Sequence, residues 1–66
     1  VEAKTLNKVI KLVKKINKDG HEYLNSGDVS VLHWEAVEAG YLINLASVGK
    51  DWKFIVSQDG LDLIGA

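Results

Sequence analysis

The 66-residue sequence predicts an α+β fold: a long helix, a short middle segment, a second helix, a two-stranded β-hairpin and a short closing helix. Apolar residues recur with helical period through residues 3–16, with lysines on the opposite arc. Glycines 20 and 40 each stop a helical pattern, and two β-branched and aromatic runs, YLINLA and WKFIVS, flank the turn segment SVGKD. The whole chain, 1–66, is one domain, close to the size below which a core rarely stabilises itself.

The first helix is the run EAKTLNKVIKLVKKIN. At about 100° per residue, Ala3, Leu6, Val9, Ile10, Val13 and Ile16 share one face, with Leu12 at its edge. Lys4, Lys8, Lys11, Lys14, Lys15 and Lys18 occupy the opposite arc. Gly20 is the expected left-handed cap, and the lysines near it complement the negative end of the helix dipole. Residues HEYLNSGDVS are too few for a long helix and contain the turn signal Asn-Ser-Gly-Asp. They predict one helical turn or a short extended piece around Tyr23 and Leu24.

The second helix begins at an N-cap, Asp28 or Ser30, and stops at Gly40. Val29, Leu32, Ala36 and Ala39 line its inner face with His33 beside them, and Trp34 and Val37 widen it. Val31, Glu35 and Glu38 are left for solvent. In the hairpin, Ile43 and Leu45 share one strand face, as do Trp52, Phe54 and Val56. Ser57 suits the N-cap of the closing helix QDGLDLIG, whose Leu61 and Ile64 are expected to return to the core.

With 47% apolar and 26% charged residues, the composition is that of an ordinary globular chain. No apolar run approaches a membrane span and no signal-peptide pattern opens the chain, so the expected location is cytoplasmic with no membrane partner. The chain opens on Val1 rather than methionine, and trimming or disordered flanking residues are expected. The absence of cysteine excludes disulfides and thiolate metal sites. The net charge of −1 hides an asymmetry: residues 1–19 carry +4, residues 20–49 carry −4 and residues 50–66 carry −1. All eight basic residues are lysine, which removes the side chain best suited to bidentate recognition of guanine.

Two stretches carry a resemblance to a known family. EAVEAGYLIN resembles the end of the second major helix of winged helix-turn-helix domains, where a glycine precedes an apolar residue entering the first wing strand. FIVSQDGLDLI resembles the second wing strand and the polar-polar-acidic-glycine step into an apolar helix. Together they cover roughly residues 29–64, and the ending AGYLIN…VSQDG is most similar to small YjcQ-type proteins of bacteria and prophages. The sequence departs from the family pattern where a middle helix should stand. The resemblance implies a compact winged helix-turn-helix fold and a role in DNA-associated regulation. The alternative is a protein-interaction or homodimerisation module that keeps the fold without reading DNA.

Winged helices usually present the helix before the wing to the major groove. Here that helix carries Glu35 and Glu38, which repel phosphate. The residues expected to meet a nucleic-acid backbone are therefore Lys8, Lys11 and Lys15, with Lys50 and Lys53 from the wing. A solvated lysine face that only maintains solubility accounts for the same pattern. Leu12, Val31 and Trp34 are the candidates for a protein interface, and Leu12 with Val9 and Ile16 is the expected edge of a two-fold pairing.

His21 and His33, even with Glu22 or Asp28, lack the spacing of a structural zinc site, and no metal or cofactor is expected. Ser26, Ser30, Ser47 and Ser57 have ready roles as caps and turn formers. No glycine-rich phosphate loop, nucleophile elbow or pair of convergent acids appears, so neither enzymatic activity nor a small-molecule substrate is expected.

Overall fold

The computed structural model describes residues 3–46 and 51–66. Lys50 and the turn residues 47–49 lie outside the described residues. In chain order the elements are α1 (Ala3–Asp19), β1 (Glu22–Asn25), α2 (Val31–Glu38), β2 (Leu42–Ala46), β3 (Asp51–Val56) and α3 (Gln58–Ile64). Among the described residues the fold is α+β, with three helices and one antiparallel sheet.

The sheet has three strands in the order β1-β3-β2, which corrects the expectation of a two-stranded hairpin. Residues 22–25 pair with β3 (Glu22 opposite Phe54, Leu24 opposite Trp52), so the middle segment is a strand rather than a helical turn. Pairing with a strand almost thirty residues downstream satisfies its backbone groups, and no local pattern in four residues encodes that. An Asx turn closes the segment: Asn25 Oδ1 accepts from the N–H groups of Gly27 (3.0 Å) and Asp28 (3.2 Å). On the other side, β2 and β3 pair with Asn44 opposite Phe54 and Leu42 opposite Val56.

Alternation along the strands gives the sheet two unlike faces. Leu24, Leu42, Trp52, Phe54 and Val56 point toward the helices and join Val9, Val13, Ile16 and Ala36 in the core. Phe54, on the central strand, is completely buried. The buried residues of α1 are Val9, Val13 and Ile16, with Leu12 half-buried against the same core and Ala3 exposed. This rotates the expected face toward Leu12: Val9 and Ile16, expected at the edge of a two-fold pairing, are buried within the chain, and Leu12 is half-buried against the same core. In α3 the residues packed on the core are Leu63 and Ile64, not Leu61 and Ile64.

The helix boundaries follow side-chain chemistry. Gly20 and Gly40 take positive φ, 84° and 88°, as helix stops that L-residues adopt only with strain. Ser30 is the N-cap of α2. Ser57 caps α3 by accepting from Gly60 N–H at 3.0 Å, and its hydroxyl donates to the Gly40 carbonyl, tying α3 to the end of α2. Gly60 is buried at this junction. A Cβ there would run into the Tyr41 carbonyl oxygen and lie 2.8 Å from Val56 Cγ1. The close approach explains a glycine inside the first turn of a seven-residue helix.

Candidate functional site

The α1 lysines form the most regular polar surface. Lys4, Lys8, Lys11, Lys15 and Lys18 follow one another at intervals of three and four residues and are all exposed, as is Lys14 beside them. Lys8, Lys11 and Lys15 are therefore brought together. Lys15 lies 3.9 Å from the Glu22 carboxylate, with the lysine side chain exposed and that of Glu22 mostly buried.

Lys53 does not join them. It projects from β3 on the sheet face opposite Phe54, with its ammonium 5.5 Å from the centre of the Tyr23 ring. A strand reverses direction at every residue, so with Phe54 committed to the core Lys53 takes the outer face of the sheet.

The exposed part of α2 is apolar and acidic. Val31 is 72% exposed and Trp34 42%. Glu38 is exposed and Glu35 half-buried. Trp34 still packs edge-on against Trp52 (6.0 Å between ring centres) and Phe54 (5.8 Å), so its ring roofs the core on one side and meets solvent on the other. On the outer sheet face Tyr23, Ile43 and Leu45 are each 40% exposed or more. His21 stands edge-on to Tyr23 at 4.9 Å.

A third arrangement was not anticipated from sequence. His33, buried at the start of α2, holds both ring nitrogens in hydrogen bonds. Nε2 lies 2.7 Å from Glu22 Oε1 on β1, and Nδ1 lies 2.8 Å from Ser30 Oγ and 3.3 Å from Ser30 N. The Ser30 N–H is always a donor, so Nδ1 accepts and the ring proton sits on Nε2, directed at the carboxylate. The ring is thus oriented from both sides, with Phe54 at 5.2 Å beneath it. Ser30 and His33, three residues apart, carry the spacing of a capping pair. The Glu22 partner depends on β1 reaching β3, which the sequence does not announce.

No group of three or more His, Cys, Asp or Glu side chains among the described residues is placed to hold a metal ion. Among the same residues, no helix is long and apolar enough to cross a membrane. No family model, curated protein or solved structure matches the chain.

Proposed function

We propose that the chain is a compact winged helix-turn-helix domain with a DNA-associated regulatory role, holding the duplex through backbone phosphates along the lysine stripe of α1. The observation that carries the reading is the alignment of Lys4, Lys8, Lys11, Lys15 and Lys18 on one exposed line, opposite the buried Val9, Val13 and Ile16. From Lys4 to Lys18 that line runs for about 20 Å, enough to follow several successive phosphates. Lysines act there as point charges without reading bases, so binding is sequence-tolerant and salt-sensitive. The helix–strand–helix–hairpin–helix order supports the fold reading, with β1 and a turn occupying the place of the family's middle helix. Val31, Trp34 and Glu38 make α2 a poor phosphate-facing element.

Fluorescence anisotropy with random duplexes at two salt concentrations tests the proposal. The triple variant Lys8→Glu, Lys11→Glu, Lys15→Glu is expected to abolish the signal and remove about 3 units from the slope of log K against log salt. Lysines introduced at Glu35 and Glu38 are expected to strengthen binding. Tight binding of one operator that survives the triple reversal would refute the lysine-stripe contact. A second reading, a protein-interaction or homodimer module, is favoured by the exposed Val31 and Trp34 on α2. It predicts association that tightens with salt, the opposite sign to a phosphate contact.

A further inference from the structure

The Ser30–His33 pair forms a reciprocal capping box at the start of α2, and the Glu22 carboxylate on β1 adds a third member that helix capping does not require. A capping serine turns its oxygen toward helix N–H groups. Here the first α2 N–H groups with acceptors, those of His33 (3.1 Å) and Trp34 (3.4 Å), reach the Ser30 carbonyl. The Ser30 hydroxyl, whose oxygen also accepts from the His33 N–H in the capping box, has its short side-chain contact with the imidazole Nδ1, at 2.8 Å. The ring's unprotonated nitrogen faces that hydroxyl, and its protonated nitrogen faces a carboxylate at 2.7 Å. Hydroxyl, imidazole and carboxylate in this order, with this tautomer, are the parts of a nucleophile activated by a base that a third group orients. The two ring nitrogens exchange the roles they hold in the familiar triads. Ser30 is exposed, so an acyl donor can reach it, while His33 is only 8% exposed and is held in one orientation.

We propose that Ser30 is a nucleophile toward small activated acyl donors, aryl esters and thioesters, with His33 as its general base and Glu22 as the residue that positions the imidazole. In the first step Ser30 Oγ bonds to the acyl carbon while its proton passes to His33 Nδ1. The tetrahedral intermediate then expels the phenolate or thiolate, which takes the proton from Nδ1. Water attacks the resulting acyl-serine with Nδ1 again accepting a proton, releasing the carboxylic acid and restoring the Ser30 hydroxyl. The sum is ester plus water giving acid plus phenol or thiol, with no other reactant. Glu22 stabilises the imidazolium formed in each half-reaction. The opening N–H groups of α2, at Val31 and Leu32, lack intrahelical acceptors and supply positive potential for the developing oxyanion. This activity is independent of the lysine stripe of α1.

A fluorophosphonate probe tests the proposal, because it phosphonylates activated serines with loss of fluoride and leaves lysines largely untouched. Intact-mass spectrometry with peptide mapping is expected to place a single adduct on Ser30 of the folded chain, with none on Ser26 or Ser57. Ser30→Ala is expected to remove the adduct, and His33→Gln to slow labelling by about 100-fold. Because His33→Gln removes a buried ring, Glu22→Gln provides the second variant. It keeps an oxygen acceptor for Nε2–H but loses the charge, and it is expected to slow labelling by about tenfold while the thermal melt stays within a few degrees. Absence of an adduct on the wild-type chain would overturn the proposal. So would labelling at Ser30 that proceeds at the wild-type rate in Glu22→Gln, or labelling spread equally over the serines.

Discussion

The two faces of the sheet are built from the same kinds of residue and meet opposite fates. On the inner face Phe54, Trp52, Val56, Leu42 and Leu24 pack beneath three helices. On the outer face Tyr23, Ile43 and Leu45 stay open to solvent, although nothing in their chemistry distinguishes them from residues that are buried. A three-helix, three-strand chain of this size has helices enough for one side only. Identity does not decide burial in such a domain; position relative to α1 does. A core this small also concentrates its stability in few side chains, so the faces should respond very differently to mutation.

The largest difference is expected at Phe54. It is fully buried on the central strand and touches both the Trp34 and His33 rings. Phe54→Ala is expected to cost about 3–5 kcal/mol, a large share of the stability of a domain this size. Urea denaturation followed by tryptophan fluorescence reads this directly. A midpoint that hardly moves would mean that the inner face is not the core.

How much of this was legible beforehand depended on whether the signal was local. The stops at Gly20 and Gly40, the caps at Ser30 and Ser57 and the shared face of Trp52, Phe54 and Val56 all follow from short-range rules, and the structure has them. The strand at Glu22–Asn25 was only half legible, because an extended piece of four residues becomes a strand only when a distant partner accepts it. That one ambiguity propagated. Without β1 beside β3, Glu22 has no route to His33, Tyr23 has no place on an outer face, and Lys53 looks free to join the α1 lysines. The α1 stripe was displaced for a related reason: Leu12 and Ala3 bracket the same apolar arc, and only the position of the sheet decides which is covered. In α3, Leu61 and Leu63 present a similar choice that the junction at Gly60 resolves.

An intermediate effect, opposite in sign, is expected at Asn44. This residue sits on β2 opposite Phe54, on the inner face, and its Nδ2 is buried with no hydrogen-bond partner. A buried amide without a partner carries a desolvation cost that an apolar side chain does not. Asn44→Val, with β-branching suited to a strand, is expected to raise stability by about 1 kcal/mol in the same urea assay. A loss of similar size would show that the Asn44 amide is satisfied in solution, for example by an ordered water.

The smallest stability effect is expected on the outer face. Ile43 and Leu45 lie on the edge strand β2, each about 40% exposed. The double substitution Ile43→Thr, Leu45→Thr keeps strand-compatible side chains while removing apolar surface that water already reaches. Away from core features such surface changes stay within about 0.5 kcal/mol, so the denaturation midpoint is expected to remain near the wild-type value. The measurement becomes informative when it is repeated over a range of protein concentrations. A chain whose outer face is open gives a midpoint independent of concentration in both proteins. If Ile43 and Leu45 are covered by a second copy, the wild-type midpoint rises with concentration, as mass action demands, and the threonine variant loses that rise. A penalty approaching that of Phe54→Ala, together with a concentration-dependent wild-type midpoint, would erase the contrast between the two faces and make the sheet a shared core of two chains. A flat midpoint with an unchanged variant keeps Phe54 and its neighbours as the only core, and leaves Tyr23, Ile43 and Leu45 as surface.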